Sequence, residues 1–316
     1  MRVVSTSSLP IDLERQLQVA LANCELWLPA AGHVELADVD LATADALVCL
    51  LLDRVDRPVL ERAPRLRVVA NCAVGVDNID LAAATSAGIA VTNTPDVLTE
   101  ATAEFAFALM LAAARRLGEG ERLVRSGDWT GWALDQLLGI ELHGKTAGVV
   151  GFGRIGQAFA RRAVGFGMEV IYADRHDAAG PARRVSLDEL FARADVVSLH
   201  CPLTSDTANL VDARRLDLMK PTAILVNTAR GGCIDESALI AALHAGRIAG
   251  AGLDVYAHEP AIDARLLGCP RLVLAPHTGS ATTEARTRMA QLCADAVVAV
   301  LSGHRPTNLV NIEVWK

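Results

Sequence analysis

The chain has 316 residues, and at roughly 150 residues per domain two hydrophobic cores are expected. Apolar residues make up 52% and charged residues 21% of it, which excludes a disordered, charge-solvated chain. Thirty Lys and Arg against 37 Asp and Glu leave a formal charge of −7, and no basic run tracks a phosphate backbone, so nucleic-acid binding is not expected.

The first strand expected is Val3-Val4, which runs straight into Ser5-Thr6-Ser7-Ser8. No apolar signal-peptide segment stands there, and a cytoplasmic location is expected. Further short apolar runs follow at Leu26–Leu28, Ala46–Leu52, Leu66–Ala70 and Ala90–Thr92. With helical patterns between most of them, these read as parallel α/β structure. A long helix then begins near Thr99, with Ala101, Phe105, Ala108, Leu109 and Ala112 spaced to line one face. The uncharged stretch inside it, Phe105 to Ala114, is ten residues, short of the roughly 18 that span a bilayer.

A second series of strands is expected at Thr146–Val150, Glu169–Asp174, Val196–His200, Ala223–Thr228, Gly250–Val255 and Arg271–Pro276. Six strands complete a doubly wound dinucleotide-binding sheet. The helical pattern from Thr282 to Leu301 is then left over, and it is expected to return to the first domain. The expected division is residues 1–98 plus 285–316 for one domain and 99–284 for the other. Cys24, Cys49, Cys72, Cys201, Cys233, Cys269 and Cys293 have no CxxC spacing, so they read as small buried hydrophobes rather than a disulfide framework or zinc site.

Gly151-Phe152-Gly153-Arg154-Ile155-Gly156 matches GxGxxG in the context that gives the motif meaning, after a strand and opening a helix with Ile155, Phe159, Ala163 and Phe166 on one face. The glycines let backbone N–H groups approach a pyrophosphate at the helix N-terminus, and Arg154 can add a charged contact. Asp174 lies 18 residues past Gly156 at the end of the next strand, where a carboxylate accepts from both adenosine ribose hydroxyls. That charge repels a 2′-phosphate, so NAD is favoured, with NADP left open by Arg175. Gly139 to Thr146 satisfies the P-loop expression GxxxxGK[ST], yet it leads into a strand rather than a helix and is expected to be a plain loop.

Arg230, Glu259 and His277 each follow a strand of the second series, so a parallel sheet carries all three to its carboxyl edge, where ligands bind. A guanidinium binds a carboxylate bidentately, a histidinium protonates an alkoxide, and a carboxylate orients the imidazole. The chemistry they suggest is reduction of a carbonyl next to a carboxylate. His258-Glu259 is followed by Pro260-Ala261 with no second His, so no metal is expected.

From about Leu66 to Asn311 the sequence resembles the D-2-hydroxyacid dehydrogenase family. The markers are Val74-Gly75-Val76-Asp77-Asn78-Ile79-Asp80, Thr92-Asn93-Thr94-Pro95, the glycine loop, Asn227-Thr228-Ala229-Arg230-Gly231-Gly232, His258-Glu259-Pro260 and Pro276-His277-Thr278-Gly279-Ser280-Ala281-Thr282. The resemblance implies a Rossmann-type NAD-binding domain and a discontinuous, flavodoxin-like substrate domain. It implies that Arg230 binds and polarises the substrate, that Glu259 supports the acid/base and that His277 donates the proton. The backbone around Val74 and Gly75 would hold the substrate carboxylate, and the substrate-binding residues it implies are Val74, Gly75, Arg230 and His277. For the cofactor it implies Val74, Gly151, Gly153, Arg154, Ile155, Gly156, Asp174, Cys201, Thr228, Ala229, Arg230, Asp254, His277, Thr278, Gly279 and Ser280, with Asp254 at the nicotinamide end.

Pro95 to Glu104 and Trp129-Thr130-Gly131-Trp132 look most like glyoxylate/hydroxypyruvate reductases. Thr278, Leu134 and Cys233 depart from that pattern and bear on pocket shape. The implied assembly is a homodimer, in which Trp132 either reaches a neighbouring subunit's pocket or lines the interface. Two other activities share these motifs, oxidation of 3-phosphoglycerate and NADH sensing by a corepressor-like binding protein. The expected reaction is NAD(P)H-dependent reduction of a short 2-oxo acid, glyoxylate or hydroxypyruvate.

Overall fold

The structure, a computed structural model, describes residues 1–21, 23–30, 32–178 and 182–315. The chain divides into two compact units, Met1–Leu98 with Ala281–Lys316, and Thr99–Ser280. In chain order the first unit begins with β1 (Arg2–Ser5), α1 (Leu13–Ala20), β2 (Glu25–Trp27), β3 (Ala46–Cys49), α2 (Arg57–Glu61), β4 (Val68–Asn71), α3 (Leu81–Ser86) and β5 (Ala90–Thr92). The second unit comprises α4 (Thr99–Ala114), α5 (Leu117–Arg125), β6 (Thr146–Val150), α6 (Arg154–Gly165), β7 (Glu169–Ala173), β8 (Arg183–Arg184), α7 (Leu187–Arg193), β9 (Val196–Leu199), α8 (Ala213–Leu218), β10 (Ile224–Asn227), α9 (Glu236–His244), β11 (Gly250–Leu253), α10 (Ala264–Leu267) and β12 (Leu272–Leu274). The long α11 (Thr283–Leu301) then belongs to the first unit.

The first unit's sheet has the order β2-β1-β3-β4-β5 with every pairing parallel, the flavodoxin-like order. Its central strands β3 and β4 are buried at every position, as expected of strands covered on both faces. Thr282 caps α11, its side chain accepting from Ala285 N. At the other end the Arg67 guanidinium donates to the carbonyls of Val300 and Leu301, satisfying groups that a helix C-terminus leaves open. The chain divides just before that cap, four residues ahead of the expected 285.

The second unit's sheet runs β12-β11-β10-β9-β6-β7-β8, again all parallel. Its switch point lies between β6 and β9, and ligands of such sheets bind outside the strand ends there. Seven strands rather than six pair among the described residues. The addition, β8, is two exposed arginines at the sheet edge, with no apolar run to announce it. Helix α4 also differs from expectation. Thr102, Ala103, Ala106, Phe107, Leu109, Met110, Ala113 and Ala114 are its buried residues, while Ala108 is exposed. A helix apolar on all sides has no periodicity to choose a face, and α4 packs both on α6 and on the strands β10 and β11. On α6, Phe159 and Ala163 are buried as expected, but Phe166 caps the helix end and is 48% exposed. Five cysteines are buried; Cys24 and Cys269 are only partly so.

His200 follows β9, with its Nε2 2.9 Å from Ser198 Oγ and its ring 5.3 Å from that of Phe159. Loss of hydration there pushes its imidazole from 6.5 down to about 3. Between those values the unfolded chain binds one proton more than the folded one. The stability tied to neutral His200 is therefore complete above 6.5 and is lost as the pH falls through that window. The melting temperature is expected to fall more steeply between pH 7 and 5 in the wild type than in His200→Gln; equal slopes by calorimetry would contradict this.

Candidate active site

Arg230, Glu259 and His277 follow β10, β11 and β12, which are adjacent and parallel. Their loops therefore leave the same sheet edge. His277 Nδ1 lies 2.6 Å from Glu259 Oε2, and the other carboxylate oxygen, Oε1, accepts from the Tyr256 amide at 2.9 Å. Burial pushes the Glu259 carboxyl up, but the His277 hydrogen bond, the Tyr256 amide and the charges of His277 and Arg230 outweigh it. Glu259 consequently sits below its ordinary value and is ionised at neutral pH.

His277 has φ +54, the left-handed region that a residue with a Cβ rarely occupies. Asp254 holds it there. The Asp254 carbonyl accepts from His277 N at 2.9 Å, and its two carboxylate oxygens accept from Thr278 N and Gly279 N, each at 2.7 Å. Burial nevertheless raises the Asp254 carboxyl, with the Thr278 and Gly279 amides offsetting part of the effect. Arg230 leaves β10 through a turn in which Asn227 donates to its carbonyl, and its Nη1 donates to Ala229 O at 2.8 Å.

The glycine loop stands at the switch point. Gly151 has φ +87, and a Cβ there would come within 2.6 Å of Cys201 N. Gly153 caps α6, with open space where its Cβ would be, whereas a Cβ on Gly156 would overlap the Gly151 carbonyl oxygen. Arg154 and Ile155 open the helix. Asp174 Oδ2 accepts from Phe152 N at 2.6 Å and Oδ1 from His176 N at 3.1 Å. Burial pushes Asp174 up, but the amides of Phe152, His176 and Arg175 outweigh it and hold it below the usual carboxylate range. Thr228 Oγ1 is buried and has no partner among the described residues. A close backbone cradle at a helix N-terminus, a charged acid beyond it and a waiting hydroxyl fit a dinucleotide. The P-loop look-alike, Gly139 to Thr146, passes into β6.

Residues 107–279 match the family model described as D-isomer specific 2-hydroxyacid dehydrogenase, NAD binding domain. The chain belongs to this family. A glyoxylate reductase of Thermococcus litoralis is 52% identical to this dehydrogenase, covering 92% of this chain and 91% of its own. A solved protein of Thermus thermophilus superposes with TM-score 0.93 at 45% identity, over 98% of this chain and all of that one. An NADPH-dependent glyoxylate/hydroxypyruvate reductase of Sinorhizobium meliloti gives TM-score 0.86 at 33% identity, over 99% and 98%. The dehydrogenase is thus an oxidoreductase with a nicotinamide-binding domain.

Of the expected site residues, those from Gly151 to Ser280 belong to the second unit of the dehydrogenase, while Val74 and Gly75 belong to the first. One residue that motif reading passes over is Tyr256. Its amide holds Glu259 and its hydroxyl donates to Ala275 O at 2.8 Å, so a single buried side chain ties the Glu259 turn to the strand end that precedes His277. Its partner is a main-chain carbonyl 19 positions away, which leaves no signature in sequence.

Proposed function

We propose that this dehydrogenase reduces a short 2-oxo acid, glyoxylate or hydroxypyruvate, to the 2-hydroxy acid, with NADH favoured over NADPH. The observation that carries the reading is the 2.6 Å His277–Glu259 pair at the sheet edge that also carries Arg230. When bound, the reduced nicotinamide supplies the hydride to the carbonyl carbon. Arg230 binds the substrate and polarises its carbonyl. With Nδ1 committed to Glu259, the imidazole presents Nε2, from which a proton passes to the carbonyl oxygen as it becomes a hydroxyl. Val74 and Gly75 hold the substrate carboxylate through their backbone. Asp174, ionised and at the ribose end, disfavours a 2′-phosphate, which supports NADH; the Sinorhizobium meliloti relative is NADPH-dependent, so both cofactors belong in the test.

We further propose a homodimer, supported by the apolar side chains exposed on α5 and between α5 and β6. Leu117, Val124, Trp129, Trp132, Leu134 and Leu138 all stand out from the second unit, Trp132 at 80% and Leu134 at 81% exposure. Such a patch is what an interface covers.

The test is the initial rate of NADH and NADPH oxidation with glyoxylate, hydroxypyruvate, pyruvate and phenylpyruvate. The highest kcat/KM with glyoxylate or hydroxypyruvate and NADH is the expected result. Preference for phenylpyruvate would overturn the short-substrate reading. Turnover confined to 3-phosphoglycerate in the oxidative direction would replace it, as would tight NADH binding with no turnover, the behaviour of a sensor.

A further inference from the structure

The segment after β4 carries Val74 and Gly75, and two asparagines set its peptide planes. Asn71, the last residue of β4, is fully buried, and its Nδ2 donates to Gly75 O at 2.9 Å and to Asn78 Oδ1 at 3.1 Å. Asn78 Nδ2 in turn donates to Leu50 O and Asp53 O, at 3.1 and 2.9 Å, which anchors the pair to the segment after β3. Asn93, just past β5, donates from Nδ2 to Val74 O at 2.8 Å.

In a trans peptide the C=O and the following N–H point in opposite directions. Drawing Val74 O toward Asn93 therefore turns the Gly75 N–H away from Asn93, and drawing Gly75 O toward Asn71 turns the Val76 N–H away from the buried Asn71. Among the described residues neither amide donates to another protein group, and both residues are partly exposed. Two consecutive N–H donors not used within the described protein can serve the two oxygens of a carboxylate, and donors already oriented need no reorganisation on binding.

We propose that Asn93 and Asn71 are positioning residues for the substrate carboxylate, acting through the Gly75 and Val76 amides. The inference rests on the reading of Val74 and Gly75 as the carboxylate site. It makes the neutrality of the asparagines matter, since an aspartate in either place would repel the carbonyl that the amide attracts.

Asn93→Ala is the clean test. The main chain of Asn93 keeps its bonds to Asn308, through its N–H and through its carbonyl, so the substitution removes only the bond to Val74. The KM for glyoxylate is expected to rise about tenfold while kcat stays within about twofold, on the scale of one hydrogen bond to a charged group. The dissociation constant for NADH, from its fluorescence, should not change, and Asn93→Asp should raise KM further. Should the alanine variant not fold, Asn93→Gln, which displaces the amide by one methylene, is read for the same split between KM and kcat. An unchanged KM, or a loss confined to kcat, would overturn this inference and leave the proposed function standing. Wild type inactive on every 2-oxo acid would overturn both.

Discussion

His277→Ala is expected to lower kcat on glyoxylate by at least about 100-fold, the lower end of what a positioned general acid contributes. The substitution leaves Glu259 with no imidazole to orient, and the alkoxide with no adjacent proton source. Because His277 occupies φ +54, alanine there also strains the backbone, and a loss of activity could be read as a displaced loop. His277→Asn separates the two, since asparagine tolerates the left-handed region and keeps the amides of residues 278 and 279 on Asp254. Both variants should lose turnover to the same extent. Near-normal turnover in either would remove His277 from the reaction.

The second large effect is expected at Gly231. A Cβ built there would overlap the carbonyl carbon and oxygen of Tyr256, so even alanine requires a main-chain shift. Two turns are pressed together at that point, the one that carries Arg230 and the one that carries Glu259. Overpacking of this kind costs roughly 1–3 kcal/mol, occasionally more, which corresponds to a melting temperature about 2–5 °C lower in a chain of this size. The kcat/KM for glyoxylate should fall at least about tenfold, because a misplacement of about 1 Å is enough to do so. Gly232→Ala is the control. Its Cβ would meet only the flexible end of Leu203, at 3.1 Å, which can move aside. Equal losses in the two variants would show that the close approach at Tyr256 is not what the glycine serves.

The glycine loop, Asp174 and the three polar residues after β10, β11 and β12 were legible because each stands at a fixed offset from an apolar strand, and a parallel sheet converts that offset into position. What binds them together was not. Tyr256 and Asp254 act on main-chain groups of Ala275, His277, Thr278 and Gly279, and a main-chain group has no identity in sequence. The asparagines at 71 and 93 are hidden for the same reason, since both donate to carbonyls. The buried face of α4 was misread because alanine, leucine and phenylalanine surround the helix, leaving packing against α6, β10 and β11 to decide what is covered. Edge strand β8 escaped because two arginines can pair by backbone alone without an apolar signal.

The site is proposed to recognise a carbonyl by the carboxylate beside it. The most direct measurement is the kcat/KM for glyoxylate against that for methyl glyoxylate, the same aldehyde with its charge removed, using NADH and one enzyme preparation. Loss of the charge-assisted contact proposed for Arg230 predicts a preference for the acid of at least about 100-fold. Comparable values for the acid and its ester would contradict the account.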